Sequence, residues 1–156
     1  MEHLKHYNQS HHEALEKARE YSELKDIALD IMSSMPKPIG QVCGPISTGG
    51  LGSIDKNMIM FEKTIIKLVS QGNVIFNQLP FEKSMWNIRS NSKKSIEESN
   101  QSLLEEFYLP LFKSGHVKRL YFIYGWESSH GSKWERKRAA ELGLEIIDLP
   151  MDFLDD

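Results

Sequence analysis

Hydrophobic and polar positions along this chain alternate between two kinds of segment. Short apolar runs at 39–43, 73–76, 120–124 and 144–147 are of strand length, and the third is rich in aromatic residues (Tyr121, Phe122, Tyr124). Each is bounded by Gly, Pro, Asn or Ser and reads as a buried strand. Between them lie longer segments of helical period. Leu15, Ala18, Leu24, Ala28 and Ile31 recur among Glu and Lys over 10–32, which predicts one amphipathic helix with Ser10 as its cap. Met35-Pro36-Lys37-Pro38 stops it. Further helices are predicted over 54–70, 103–112 and 133–142, the last closed by Gly143. The stretch 81–100 is polar and serine-rich, and reads as a long loop or partly helical lid carrying Phe81, Trp86 and Arg89. Its aromatics are expected to cap the core rather than to stack on a base.

Strand and helix alternate throughout, so the fold class is α/β: a three-layer parallel sheet with right-handed crossovers and an extra N-terminal helix. That helix precedes the first strand and is expected to be an appendage over residues 1–35. The turns after the first and third strands would then share one edge of the sheet, where open α/β sheets bind ligands.

Composition narrows the partners. A chain of 156 residues is about one domain, and 40% hydrophobic with 26% charged residues is ordinary for a globular protein. A formal charge of −3 does not suggest a nucleic-acid polymer, and any anion must be drawn by a local patch. Cys43 is the single cysteine, which excludes an internal disulfide and fits a reducing compartment; its apolar surroundings point to a buried thiol. No apolar run spans a bilayer and the first residues lack a signal peptide's apolar core, so no membrane partner and a cytoplasmic location are expected. His3, His6, His11 and His12 crowd a terminus expected to fray, and are read as solvated rather than as a metal site.

Two turns carry the candidate chemistry. The first, 44–53, runs Gly-Pro-Ile-Ser-Thr-Gly-Gly-Leu-Gly-Ser after a strand and before a helix, a general phosphate-binding arrangement. The specific versions fail. A Walker loop needs Lys and Ser/Thr where Gly50 and Leu51 stand, and a dinucleotide fingerprint needs Gly or Ala at Asp55. A flexible turn remains the alternative. The second turn contains Ser128, Ser129, Gly131, Ser132 and Glu135. In one reading Ser132 is an N-cap and Glu135 folds back to complete a capping box. In the other, Glu135 faces a pocket as a nucleophile while Ser128, Ser129 and the helix N-terminus hold an anion.

Taken together, Cys43-Gly44-Pro45-Ile46-Ser47-Thr48-Gly49-Gly50 and Ser129-x-Gly131-x-x-x-Glu135 resemble the nucleoside 2-deoxyribosyltransferase-like superfamily, over roughly 39–149. The match is closest to its 2′-deoxynucleoside 5′-monophosphate N-hydrolase branch. The resemblance implies a Rossmann-like (flavodoxin-like) domain over 36–156 and cleavage of an N-glycosidic bond, with Glu135 as nucleophile or transition-state stabiliser. A neutral Ser129 where transferases acting on free nucleosides carry an acid implies a phosphorylated sugar. Substrate contacts are expected from Gly44, Pro45, Ile46, Ser47, Gly49, Gly50, Asn77, Ser128, Ser129 and Gly131. Trp86 or Trp126 would stack on the base. Where the branch carries an arginine in the first loop, this chain has Ser47 and Thr48, so Arg89 is expected to supply part of the phosphate grip. The relatives' aspartate before the third strand has its nearest counterpart in Glu105 or Glu106, of which Glu106 is taken as the proton donor. No cofactor and no metal are expected, the partner is a small nucleotide or nucleoside, and relatives that complete their pockets across a dimer imply a homodimer. A 2-deoxyribosyltransferase, a non-catalytic nucleotide-binding module and an assembly protein driven by the N-terminal helix are the alternatives.

Overall fold

The computed structural model describes residues 1–47 and 49–155. Three parallel strands form the sheet in the order β1 (Ile39–Cys43), β2 (Val117–Phe122) and β3 (Glu145–Asp148). The 73–76 run flanks the free edge of β1 but makes a single bridge, Gly40 with Ile75, and two backbone hydrogen bonds through Gly40. It is therefore an isolated bridge and not a strand of the sheet, and the Asn73 side-chain amide donates to the carbonyl of Leu68 just before it.

Period-two alternation sends the side chains of each strand to opposite faces. Ile39, Cys43, Leu120 and Phe122 enter one apolar cluster, while Val42, Tyr121 and Ile123 enter another. Helix α3 (Ile54–Ser70) covers the second face with Phe61, Ile65 and Leu68. The first face is covered by α2 (Tyr21–Ser33), α6 (Leu109–Lys113) and α7 (His130–Leu142). Helices on both faces of a parallel sheet make this a three-layer α/β fold.

The N-terminal segment departs most from expectation. The single helix over 10–32 is two: α1 (Gln9–Lys17), then extended backbone at Ala18 and Glu20, then α2. Asn8 caps α1 instead of Ser10, in a reciprocal box with His11. Nor is the segment an appendage. Leu24, Ala28, Ile31 and Met32 are fully buried in the same cluster as Phe122 and Trp134. His3 and His11 are buried rather than solvated, His11 bonding Asp30 at 2.7 Å. The apolar period runs through both helices without marking the break, which the extended backbone of Ala18 and Glu20 makes.

Of the two forms expected for 81–100, the partly helical one is found: two helices separated by a short turn at 91–95. Phe81, Met85 and Ile88 recur at helical spacing and build α4 (Glu82–Ser90), and Ser95 with Glu98 forms a capping box that starts α5 (Ile96–Leu103). A π-helical segment, Leu104–Tyr108, joins α5 to α6. Phe81 is fully buried, a core-capping use, whereas Trp86 remains more than half exposed at 54%. Among the described residues, no helix is long and apolar enough to cross a membrane.

Candidate functional site

The turns after β1 and β2 meet. Ser128 stands in the second of them, and its hydroxyl accepts from the backbone N–H of Gly50 at 2.8 Å while donating to the carbonyl of Gly125 at 2.9 Å. The glycine-rich turn is wrapped around Asn57, a buried residue at the start of α3. Its amide donates to the carbonyls of Ile46 and Gly49 and accepts from the N–H of Leu51. Gly49 has φ 71°, and a Cβ there would sit 2.4 Å from the backbone oxygen of Ser128. The glycines thus serve the close approach of two loops.

Below them opens a cavity of about 560 Å³. Gly44, Ile46 and Ser47 line it from the first turn, and Ser129, His130, Gly131, Ser132 and Glu135 from the second. Helix α7 starts three residues earlier than the sequence suggested: Ser129, not Ser132, is its N-cap, accepting from the N–H of Ser132 at 3.2 Å. Ser132 and Glu135 consequently sit inside the helix, one turn apart on its buried side. The capping-box reading of Ser132 with Glu135 is therefore wrong, and the Glu135 side chain borders the cavity at 7% exposure.

The opposite wall comes from α4, α5 and the π-helical segment, with Glu82, Met85, Arg89, Asn100, Leu104 and Tyr108. Tyr21 of α2 closes one side and bonds Ser99 of α5 at 2.8 Å. Arg89 reaches the cavity, donating to Asn100 at 2.9 Å, with its guanidinium 5.0 Å from the ring of Trp86. Trp86 itself does not border the cavity but lies outside it, as the platform for Arg89.

Glu106 is misassigned. It is exposed on the outer side of the π-helical segment, as is Glu105, which accepts from Gln101. The carboxylates that border the cavity beside Glu135 are Glu82 and, exposed at the start of α5, Glu97. Reading 81–100 as a long loop or partly helical lid without placing its helices concealed Glu82, although the spacing of Phe81, Met85 and Ile88 marks a helix whose first residue is Glu82.

Several other expected contacts lie elsewhere. Pro45, Gly49 and Gly50 do not line the cavity; a Cβ on Gly50 would meet both Asn57 and Pro45, so these residues pack within the turn. Asn77 faces the N-terminal segment: its amide donates to the carbonyl of His3, its side-chain oxygen accepts from Leu79, and its carbonyl accepts from the hydroxyl of Tyr7. Its neighbour Gln78 is the one in the cavity wall. Trp126 packs beneath Arg136, whose guanidinium is 4.4 Å from its ring and bonds Asp148 through both terminal nitrogens. Ser128 ties the loops together instead of lining the cavity. Thr48 lies outside the described residues.

Burial dominates the electrostatics. It pushes Glu135 up to about 8, an effect the Cys43 thiol offsets in part by hydrogen bonding to the carboxylate and the charge of Glu82 reinforces. Burial likewise raises Glu82 to about 7, against the pull of Arg89. Desolvation, then the Glu135 charge and hydrogen bond, raise the Cys43 thiol well above its ordinary value, so it stays a donor and not a thiolate. Tyr108 is raised by burial first and then by Glu82 and Glu135, which keeps its phenol protonated. Glu82 and Glu135 therefore form a coupled pair in the cavity wall that carries about one proton just above neutral pH. Such a pair can protonate one atom of a ligand while placing negative charge beside another. Among the described residues, no three His, Cys, Asp or Glu side chains converge as metal ligands. No protein-family model, curated protein or solved structure matches this chain.

Proposed function

We propose that this protein has a Rossmann-like fold and cleaves the bond between base and sugar in a nucleoside 5′-monophosphate. The observation that carries the reading is the position of Glu135: a buried carboxyl bordering a cavity of about 560 Å³, opposite a second, half-buried carboxyl, Glu82. N-glycosidic cleavage resembles other glycosyl transfers in needing an acid for the leaving group and a carboxylate for the oxocarbenium-like sugar.

The sugar lies against Glu135 and the base toward Glu82. As the bond from the anomeric carbon to the base nitrogen breaks, its electron pair leaves with the base, which takes a proton from Glu82. Positive charge growing on the sugar draws the negative charge of the pair onto Glu135, so the shared proton resides on Glu82 for delivery. The Glu135 carboxylate stabilises that charge or bonds the anomeric carbon. Water then attacks, giving the free sugar phosphate and returning a proton to the pair. The phosphate is held by the N-terminus of α7 at Ser129, His130 and Gly131, where the helix dipole favours an anion, with Ser47 beside it. Arg89 lies at the base end of the cavity, where its contacts with Trp86 and Asn100 orient a polar ring edge.

Incubation of the purified protein with a panel of nucleoside monophosphates, with free base followed by chromatography, tests the reading. Base release should fall by at least about 100-fold in Glu135→Gln, the scale of losing a catalytic acid–base group. No release from any member, or undiminished release by the variant, removes it.

A further inference from the structure

Two residues that border the cavity each carry a polar atom that the fold leaves unpaired. Gln78 is 2% exposed; its Nε2 donates to the carbonyl of Val42 at 2.9 Å, and its Oε1 has no hydrogen-bond partner. Ser132 is 1% exposed and its Oγ also has none, the cap at its backbone N–H being made by Ser129. Leaving a buried polar atom unpaired is costly, so two in residues that border one cavity call for a ligand.

Both atoms are organised around Glu135. Ser132 precedes it by one helical turn on the same buried side of α7. Gln78 is fastened to Val42, the chain neighbour of the buried Cys43, and borders the same cavity as Glu135. Their chemistry is also specific. The unpaired Gln78 Oε1 can only accept, whereas Ser132 Oγ can donate and accept. A hydroxyl next to the atom that meets Glu135 would satisfy both, giving its hydrogen to Gln78 Oε1 and accepting from Ser132 Oγ. A methylene there would satisfy neither.

We propose that Gln78 and Ser132 recognise the hydroxyl on the sugar carbon adjacent to the anomeric carbon, so that the substrate is a ribonucleotide and not a 2′-deoxyribonucleotide. The inference rests on the reading of Glu135 as the group facing the anomeric carbon. It departs from the resemblance, whose closest branch acts on 2′-deoxynucleotides. A site built to bond a hydroxyl discriminates strongly against the analogue lacking it, because its own buried groups are then left unpaired.

Two measurements test the inference and separate it from the cleavage reading. Titration calorimetry compares ribose 5-phosphate with 2-deoxyribose 5-phosphate, and chromatography compares base release from matched ribo- and deoxyribonucleoside monophosphates. Ribose 5-phosphate should bind at least about tenfold more tightly, and Ser132→Ala and Gln78→Met should each shrink that ratio toward one, whether or not base is released. Base release favouring the ribonucleotide by a similar factor supports the proposal as well. Equal binding of the two sugar phosphates, binding of neither, or a preference for the deoxy form overturns it. Equal base release from both nucleotides overturns it while leaving the cleavage reading intact. Preferential binding of ribose 5-phosphate with no release from any nucleotide supports the hydroxyl site and removes the cleavage reading.

Discussion

Ser128 and Gly50, 78 residues apart in sequence, are joined by a 2.8 Å hydrogen bond that fixes one loop of the site against the other. Glycines supply the closeness and Asn57 the shape. Two glycines of the same turn separate these effects. Gly49→Ala and Gly52→Ala each force an L side chain into the left-handed region, at roughly 1–2 kcal/mol. Only Gly49→Ala adds a clash, with the backbone of Ser128, while the space around Gly52 is open. Gly49→Ala should therefore lower the midpoint of urea unfolding by more than Gly52→Ala. It should also weaken ligand binding by displacing Ser47 and Ser129, whereas Gly52→Ala should bind normally. Equal effects in a side-by-side titration would mean that the two loops are not mechanically coupled.

How much of this was legible beforehand turns on such contacts. The alternation of apolar runs is a local property, so β1, α3 and the closing Gly143 of α7 follow from short stretches of chain. The start of α7 does not. Ser129 and Ser132 are both acceptable caps three residues apart, and the choice decides whether Glu135 folds over the helix start or borders the cavity. The adjacent Ser128 is pinned by a contact with Gly50, which the local pattern does not contain. Glu82 was hidden for the opposite reason. Its helix is marked by a weak apolar period inside a serine-rich stretch, and polar composition outweighed spacing. The break near Ala18 had no mark at all, since neither Gly nor Pro stands there.

The coupled carboxyl pair predicts a narrow pH profile. Below about 7 both Glu82 and Glu135 hold protons, and above about 8 both are ionised, so the singly protonated pair is most populated between those values. A plot of log kcat/KM against pH should be a bell peaking between about 7 and 8. Burial is the main cause of the raised Glu135, and in Glu82→Gln the neighbouring charge that adds to it is gone, so the ionisation of Glu135 should move downward. An activity independent of pH from 5 to 9 would mean that the pair takes no part in turnover.

The same shifts bear on stability with a definite sign. Glu135 binds its proton more tightly when folded than when unfolded. Its contribution is thus fully present below the ordinary carboxyl range and is lost as pH rises through about 8. Wild-type stability should fall across that interval by up to roughly 1.4 kcal/mol per pH unit from this group. Glu135→Gln has no proton to lose. Its Tm should lie near that of the wild type at pH 5 and above it at pH 9, and parallel Tm curves across pH 5–9 would contradict the burial of an ionisable group at this position.

The N-terminal segment offers the sharpest structural test, because an appendage and a piece of core behave oppositely on removal. Ile31 and Met32 are fully buried against the sheet, Tyr21 forms part of the cavity wall, and Ser84 of α4 donates to the carbonyl of Leu15 at 2.8 Å. Ile31→Ala should cost about 2–5 kcal/mol, the range for truncating a buried aliphatic side chain. That is a large share of the 5–15 kcal/mol typical of a whole domain. Deleting residues 1–35 would expose the apolar face formed by Ile39, Leu120 and Phe122, and should leave a chain without a cooperative thermal transition. Circular dichroism melting of the two variants checks both statements. A truncated chain that melts cooperatively near the wild-type Tm would show that residues 36–156 fold alone, and would return α1 and α2 to the status of an ornament on an independent domain.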